Sequence, residues 1–282
     1  MYQFPDRFRQ FLEKYTVVHP VFFIYKLSVL TIPKAKMYRW GNRGPHIVFL
    51  HYFGGEGRSW QWVARHLEQD YQCIAFDLPG FGKSHPTNPL SITALSQWVL
   101  RQLVLHDIFD CVLVGHSMGG KIAMQMAADP AQLDIRKIIL LAPSPPTYEP
   151  MPQEEKERML NHPNREEALN TVQNASLINL EADIRDFAID SQLRIDHQTW
   201  KWWLLDGMNN SIAEQVSQIN SPLTVVCSED DPVISMDTIR QEVMPHLPGA
   251  QLRIGENMGH LLPLENPAWV AETIHEEIVR IR

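Results

Sequence analysis

The sequence predicts an α/β fold: a mostly parallel central sheet with helices on both faces and a helical cap insertion over one sheet edge. Three observations predict it. Apolar, β-branched runs of strand length alternate with longer helical stretches. One of these runs ends in a Gly-x-Ser-x-Gly turn that opens a helix. The alternation then stops once, between residues 144 and 221, where Pro-rich chain leads into polar helical segments. Near-continuous apolar strands separated by helices are the pattern of a parallel sheet buried on both faces.

The elements follow in order. Residues 46–50 (HIVFL) read as a strand, 60–69 as a helix, 71–76 (YQCIAF) as the next strand and 92–106 as a helix. The run Cys111-Val112-Leu113-Val114 enters the turn Gly115-His116-Ser117-Met118-Gly119, and a helix over 121–128 follows. Residues 137–141 (KIILL), 223–227 (LTVVC) and 251–254 (QLRI) are further strands, and 267–282 is the closing helix. Helical segments at 153–161, 166–175 and 199–206 fill the break. The expected division is a core of 1–143 and 222–282, with 1–32 as an N-terminal extension, and a helical cap of 144–221. Ligand sites in open α/β sheets lie at the C-terminal edge such a cap would cover.

Composition narrows the function. The formal net charge of −8, with no Lys/Arg cluster to offset it, argues against nucleic acid. Cys73, Cys111 and Cys227 each lie in an apolar run and read as buried core thiols, not as a disulfide framework or metal site. Charged residues interrupt the N-terminus and no small-residue cleavage site follows, so no signal peptide is expected. The apolar run 17–32 contains His19, Pro20 and Lys26 and is short for a membrane span. It is expected to pack over the core, with contact to a membrane surface as the alternative. A cytoplasmic protein is the expectation, and no cofactor or metal is called for.

The chemistry centres on Ser117. A serine held between small residues in a tight strand-to-helix turn presents its hydroxyl above the sheet, the arrangement called a nucleophile elbow. Serine is a poor nucleophile at its free pKa and needs a base, which in turn needs an orienting acid. His260, on the loop 257–267 after the last strand, is the base candidate; Asp231, in Ser228-Glu229-Asp230-Asp231-Pro232, is the acid candidate, with Asp230 as the alternative. An oxyanion site needs backbone N–H groups aimed at one point. Met118, next after the nucleophile, supplies one, and Phe53 in the loop His51-Tyr52-Phe53-Gly54-Gly55 the other.

These motifs resemble the α/β-hydrolase superfamily, in its capped esterase, haloperoxidase-like and C–C hydrolase branch. The resemblance covers about residues 45–143 and 222–280: the His-Gly-Phe-type loop at 51–55, the D-x-P-G-x-G-x-S segment Asp77-Leu78-Pro79-Gly80-Phe81-Gly82-Lys83-Ser84, the elbow, and Gly259-His260. Two departures stand out. Tyr52 occupies a position where the family usually has glycine, and Ser228 replaces the glycine of its Gly-x-x-Asp acid motif. Asp77 and Ser84 read as structural turn residues and His116 as elbow packing. Dehalogenases and epoxide hydrolases of this superfamily use aspartate at the elbow, so Ser117 argues against both.

The resemblance implies a serine hydrolase acting on an ester or thioester of a small to medium, largely apolar acyl substrate. Tyr52, Trp202, Trp203 and Met208 are the candidate substrate-binding residues, with Trp200 adding apolar surface. Trp202 and Trp203 are adjacent, so on a helix they cannot share one face. A C–C bond hydrolase is the rival, for which Arg58, Arg185 or Arg194 would hold a substrate carboxylate. A catalytically silent binding protein is the rival from another class.

Overall fold

Period-two alternation within the strands decides the layers. In the computed structural model, which describes residues 35–129 and 133–280, seven strands form one sheet in the order β1-β3-β2-β4-β5-β6-β7. They are β1 (Met37–Trp40), β2 (His46–Leu50), β3 (Gln72–Phe76), β4 (Asp110–His116), β5 (Asp134–Leu141), β6 (Leu223–Ser228) and β7 (Gln251–Gly255). All neighbours are parallel except β1, which runs antiparallel to β3.

Val48, Leu50, Leu113, Ile138, Leu140 and Val225 face one core, packed with α2 (Ile92–Leu105) and α3 (Met118–Ala127). The residues between them, including Ile47, Phe49, Val112, Val114, Ile139 and Val226, face a second core. That side is covered by α1 (Gln61–Leu67) and α10 (Pro267–Val279). Burial on both faces is why these strands read as unbroken apolar runs. Helix starts carry local signals. Ser91 Oγ accepts the Ala94 N–H at 3.0 Å, and Asn266 caps α10 with Pro267 as its first residue.

Between β5 and β6 the chain forms α4 (Gln153–Met159), α5 (Arg165–Ala175), α6 (Ala182–Leu193), α7 (His197–Leu205) and the single turn α8 (Ala213–Val216). After β7 comes α9 (Leu262–Glu265) before the closing helix. Three features differ from the sequence expectation. Strand β1 is short, half-buried and on an edge, so it carries no apolar run. Helix α6 has almost no segregation of apolar residues along the sequence, yet it buries Ile184, Ala188 and Ile189. The elbow helix begins at Met118, not at 121, because one residue at positive φ turns the chain directly into the helix. The apolar segment 17–32 lies outside the described residues.

Candidate functional site

Ser117 sits between the end of β4 and the first residue of α3 at φ 54°, ψ −117°, a region that costs a non-glycine residue about 1–3 kcal/mol. The surroundings impose it. Ser117 N–H donates to the Leu141 carbonyl at 3.0 Å, and its own carbonyl accepts from Gly120 at 2.8 Å and from Ser144 at 3.1 Å. Close approach requires glycine on either side: a Cβ on Gly115 would lie 2.4 Å from the Gly119 carbonyl oxygen. One on Gly119 would lie 2.3 Å from that of Leu50.

The serine hydroxyl points at the loop after β7. Ser117 Oγ is 2.9 Å from His260 Nε2, and His260 Nδ1 is 2.9 Å from Asp231 Oδ2. The carboxylate is fixed from its other side, where Oδ1 accepts the N–H groups of Val233 at 2.7 Å and Ile234 at 2.9 Å. Asp230 turns elsewhere and accepts the Asn257 N–H at 2.8 Å. Ser228 ties the two loops together, its hydroxyl donating to the Met258 carbonyl at 2.5 Å.

Three residues from the turn after β4 and the loops after β6 and β7 thus form one buried line. Burial alone would push the His260 pKa down. The charge and hydrogen bond of Asp231, with Glu149 and Glu265 further out, more than offset it, so the imidazole titrates above its ordinary value. His116 lies beside the line, its Nε2 donating to the His260 carbonyl at 2.8 Å. Burial and the neighbouring His260 hold His116 well below the usual range, so it stays neutral.

The loop after β2 closes the other side. His51 Nε2 accepts the Leu78 N–H at 3.2 Å, which leaves Nδ1–H to donate to the Tyr52 carbonyl at 2.8 Å and fix the loop. Phe53 and Met118 are both buried, next in chain to Tyr52 and Ser117 respectively. The Phe53 ring stacks on Trp200 at 4.3 Å and tilts against Trp203 at 5.8 Å, while Trp202 is only partly buried. Tyr52 packs among Ala168, Val172, Ala175 and Leu180 of the insertion, and burial raises its phenol pKa. Asp77 accepts from Gly57 N–H and Lys83 N–H, both at 2.9 Å, and Ser84 Oγ donates to the Asp77 carbonyl at 2.7 Å; these are turn-building bonds.

Four polar groups near the site carry no sequence motif. Lys121 is fully buried on α3, its Nζ donating to the carbonyls of Thr147 at 2.9 Å and Met208 at 3.2 Å. Burial pushes its pKa down to about 8, opposed by Glu149. Burial raises the Glu149 pKa, opposed by Ser144, His260 and Lys121 and aided by Asp231. Glu265 is bonded around the His260 loop. Glu56 takes Arg194 at 2.8 Å and Arg58 at 2.6 Å, joining the insertion to the core. These bonds outweigh the cost of burial and hold Glu56 below its usual pKa. Arg185 pairs with Asp186. Among the described residues no group of three or more His, Cys, Asp or Glu is placed to hold a metal, and no helix is long and apolar enough to cross a membrane.

Comparison with known proteins gives the class and the family. A model of the alpha/beta hydrolase family matches residues 47–273, and the chain belongs to that family. It is similar to a poly(3-hydroxyalkanoate) depolymerase of Ectopseudomonas oleovorans, 27% identical over 245 residues, spanning 82% of this chain and 84% of that one. Among solved structures it resembles a bromoperoxidase from Bacillus anthracis (TM-score 0.78, 16% identity, 89% of this chain and 98% of that one). An esterase from Exiguobacterium antarcticum is similarly close (TM-score 0.78, 16% identity, 87% and 94%). The protein is a hydrolase.

Proposed function

We propose that the protein is a cytoplasmic serine hydrolase that cleaves a carboxylic ester or thioester of a small to medium apolar acyl group. The observation that carries this reading is the line Ser117 Oγ–His260 Nε2, His260 Nδ1–Asp231 Oδ2, each link 2.9 Å, ending on a serine at φ 54°. As Ser117 Oγ attacks the carbonyl carbon, His260 Nε2 takes its proton, and Asp231 stabilises the imidazolium and holds its tautomer. The N–H groups of Phe53 and Met118 receive the oxyanion. Collapse expels the alcohol or thiol with the proton from His260. Water then attacks the acyl-enzyme, giving its proton to His260, and Ser117 leaves protonated with release of the acid.

Residues 144–221 act as a cap, with Trp200, Trp203 and Met208 forming a buried apolar wall around Phe53 and Trp202 at its margin; Tyr52 anchors the oxyanion loop to this cap. The C–C hydrolase alternative would need a cation for a substrate carboxylate. Arg58 and Arg194 are engaged by Glu56 and Arg185 by Asp186, which weighs for the ester reading.

Hydrolysis of p-nitrophenyl esters from acetate to decanoate, by wild type and Ser117→Ala, tests the proposal. Activity should fall by at least about 1000-fold in the variant, with a chain-length optimum set by the apolar wall. A folded wild type that turns over none of these esters, or a Ser117→Ala variant that retains its rate, would overturn it.

A further inference from the structure

The carboxylate of Glu265 is the most heavily engaged acceptor near the site. It lies at the end of α9, buried, five residues after His260. Its Oε2 accepts the N–H of Gly259 at 2.9 Å and its Oε1 that of Leu261 at 3.0 Å, so it grips the chain on both sides of His260. The same Oε2 accepts the N–H groups of Leu177 at 2.9 Å and Ile178 at 3.3 Å, from the segment that joins α5 to α6. The His260 N–H donates to the Ala175 carbonyl at 2.7 Å, in that same stretch of the insertion. The Gly259 and Leu261 donors are buried, where an unpaired N–H is costly, and the Leu177 and Ile178 donors come from a more exposed stretch, so one side chain serves both a buried and a partly open segment.

We infer that Glu265 is a positioning residue that locks the His260 loop and the 175–178 segment of the cap into one unit, so that seating the cap and aligning the base are a single event. The inference rests on the serine-hydrolase reading of the site. Geometry explains why an acid is needed. A carboxylate offers two oxygens with several lone pairs and no hydrogen to repel, whereas an amide would present N–H groups to at least one of the four donors. A shift of about 1 Å in His260 would lengthen its contact with Ser117 Oγ beyond hydrogen-bonding reach, and such misplacements cost about 100-fold in rate.

The experiment compares Glu265→Gln and Glu265→Asp with Glu272→Gln, which removes the same charge from an exposed position on α10. Expected for Glu265→Gln is a kcat lower by about 10- to 100-fold with KM within about twofold, and an equally slowed phosphonate labelling of Ser117. Backbone amides of 175–178 and 259–261 should gain hydrogen exchange together. The acid limb of kcat/KM should move to lower pH, since Glu265 acts with Asp231 and Glu149 to raise the His260 pKa against burial, while the neutral His116 beside it contributes no charge. A purely structural loss would leave that limb in place. Glu265→Asp, with the charge kept but the reach shortened, should lose rate without moving the limb, and it decides the matter if Glu265→Gln does not fold. Glu272→Gln should match wild type.

Wild-type kcat and acid limb in Glu265→Gln, or wild-type kcat in Glu265→Asp, would overturn the inference. So would exchange that increases in only one of the two segments. If Ser117→Ala retains activity, the hydrolase reading falls instead, and the exchange data still decide whether Glu265 joins the two segments.

Discussion

Replacing Lys121 by methionine should remove a pH dependence of stability that the wild type carries on its alkaline side. Lys121 is fully buried, held by two carbonyls, with burial lowering its pKa from 10.5 to about 8. At about 1.36 kcal/mol per pH unit, that displacement is worth ~3 kcal/mol. The folded-state pKa is depressed, so between about pH 8 and 10.5 the unfolded chain binds a proton that the folded chain has released. Unfolding free energy must therefore rise with pH across that window, and the contribution is lost as pH falls back through about 8. Methionine has no such window. It fills similar space but strands the Thr147 and Met208 carbonyls, a penalty of ~1–3 kcal/mol each that does not vary with pH.

Urea unfolding followed by tryptophan fluorescence at pH 7.5, 8.5, 9.5 and 10.5 gives the difference between wild type and Lys121→Met, in which titrations common to both cancel. That difference should grow in favour of wild type by about 3 kcal/mol over the series. Parallel curves, with a constant difference, would refute the reasoning and mean that the ammonium is solvated or paired more fully than its two carbonyl contacts indicate.

Two further outcomes are expected. The acid limb of kcat/KM on a good ester should have its midpoint above 6.5, the ordinary histidine value, because the His260 pKa is raised and the base must be neutral to act; a pH–rate profile checks this. Gly119→Ala puts a Cβ 2.3 Å from the Leu50 carbonyl oxygen and should cost ~1–3 kcal/mol of stability with a marked fall in kcat, read by denaturation and ester hydrolysis on the same preparation.

The parts of the fold that could be read from sequence are those where one physical demand fixes residue type. The strands at 46–50, 72–76 and 223–228 are buried on both faces over most of their length and so are mainly apolar, with His46 and Gln72 at half-buried starts and the buried hydroxyls of Thr224 and Ser228 hydrogen-bonded. Strand β1 pairs on one edge only and helix α6 buries a dispersed set of small and apolar residues, so neither leaves a period to detect. At the site, Ser117, Asp231 and His260 were picked out by motif and chain order, and the structure places all three in one line. Asp231 and Asp230 could be separated only by where each side chain points, which is a loop property. Lys121, Glu149 and Glu265 had no such signal. Each does its work through backbone carbonyls, backbone N–H groups or burial, and a single sequence does not mark a charged residue whose partners are main-chain atoms. The substitution of Ser228 for glycine looked like a departure in sequence, whereas in space its hydroxyl joins the Asp231 and His260 loops.

The line through Ser117, His260 and Asp231 also has a kinetic meaning. Its two links join residues 143 and 29 positions apart in sequence. The first cannot close until β7 has docked beside β6, at the far edge of a sheet whose parallel pairings are all non-local, and such contacts form late. Regain of phosphonate reactivity at Ser117 during refolding would therefore report completion of the last strands and time the final step of assembly.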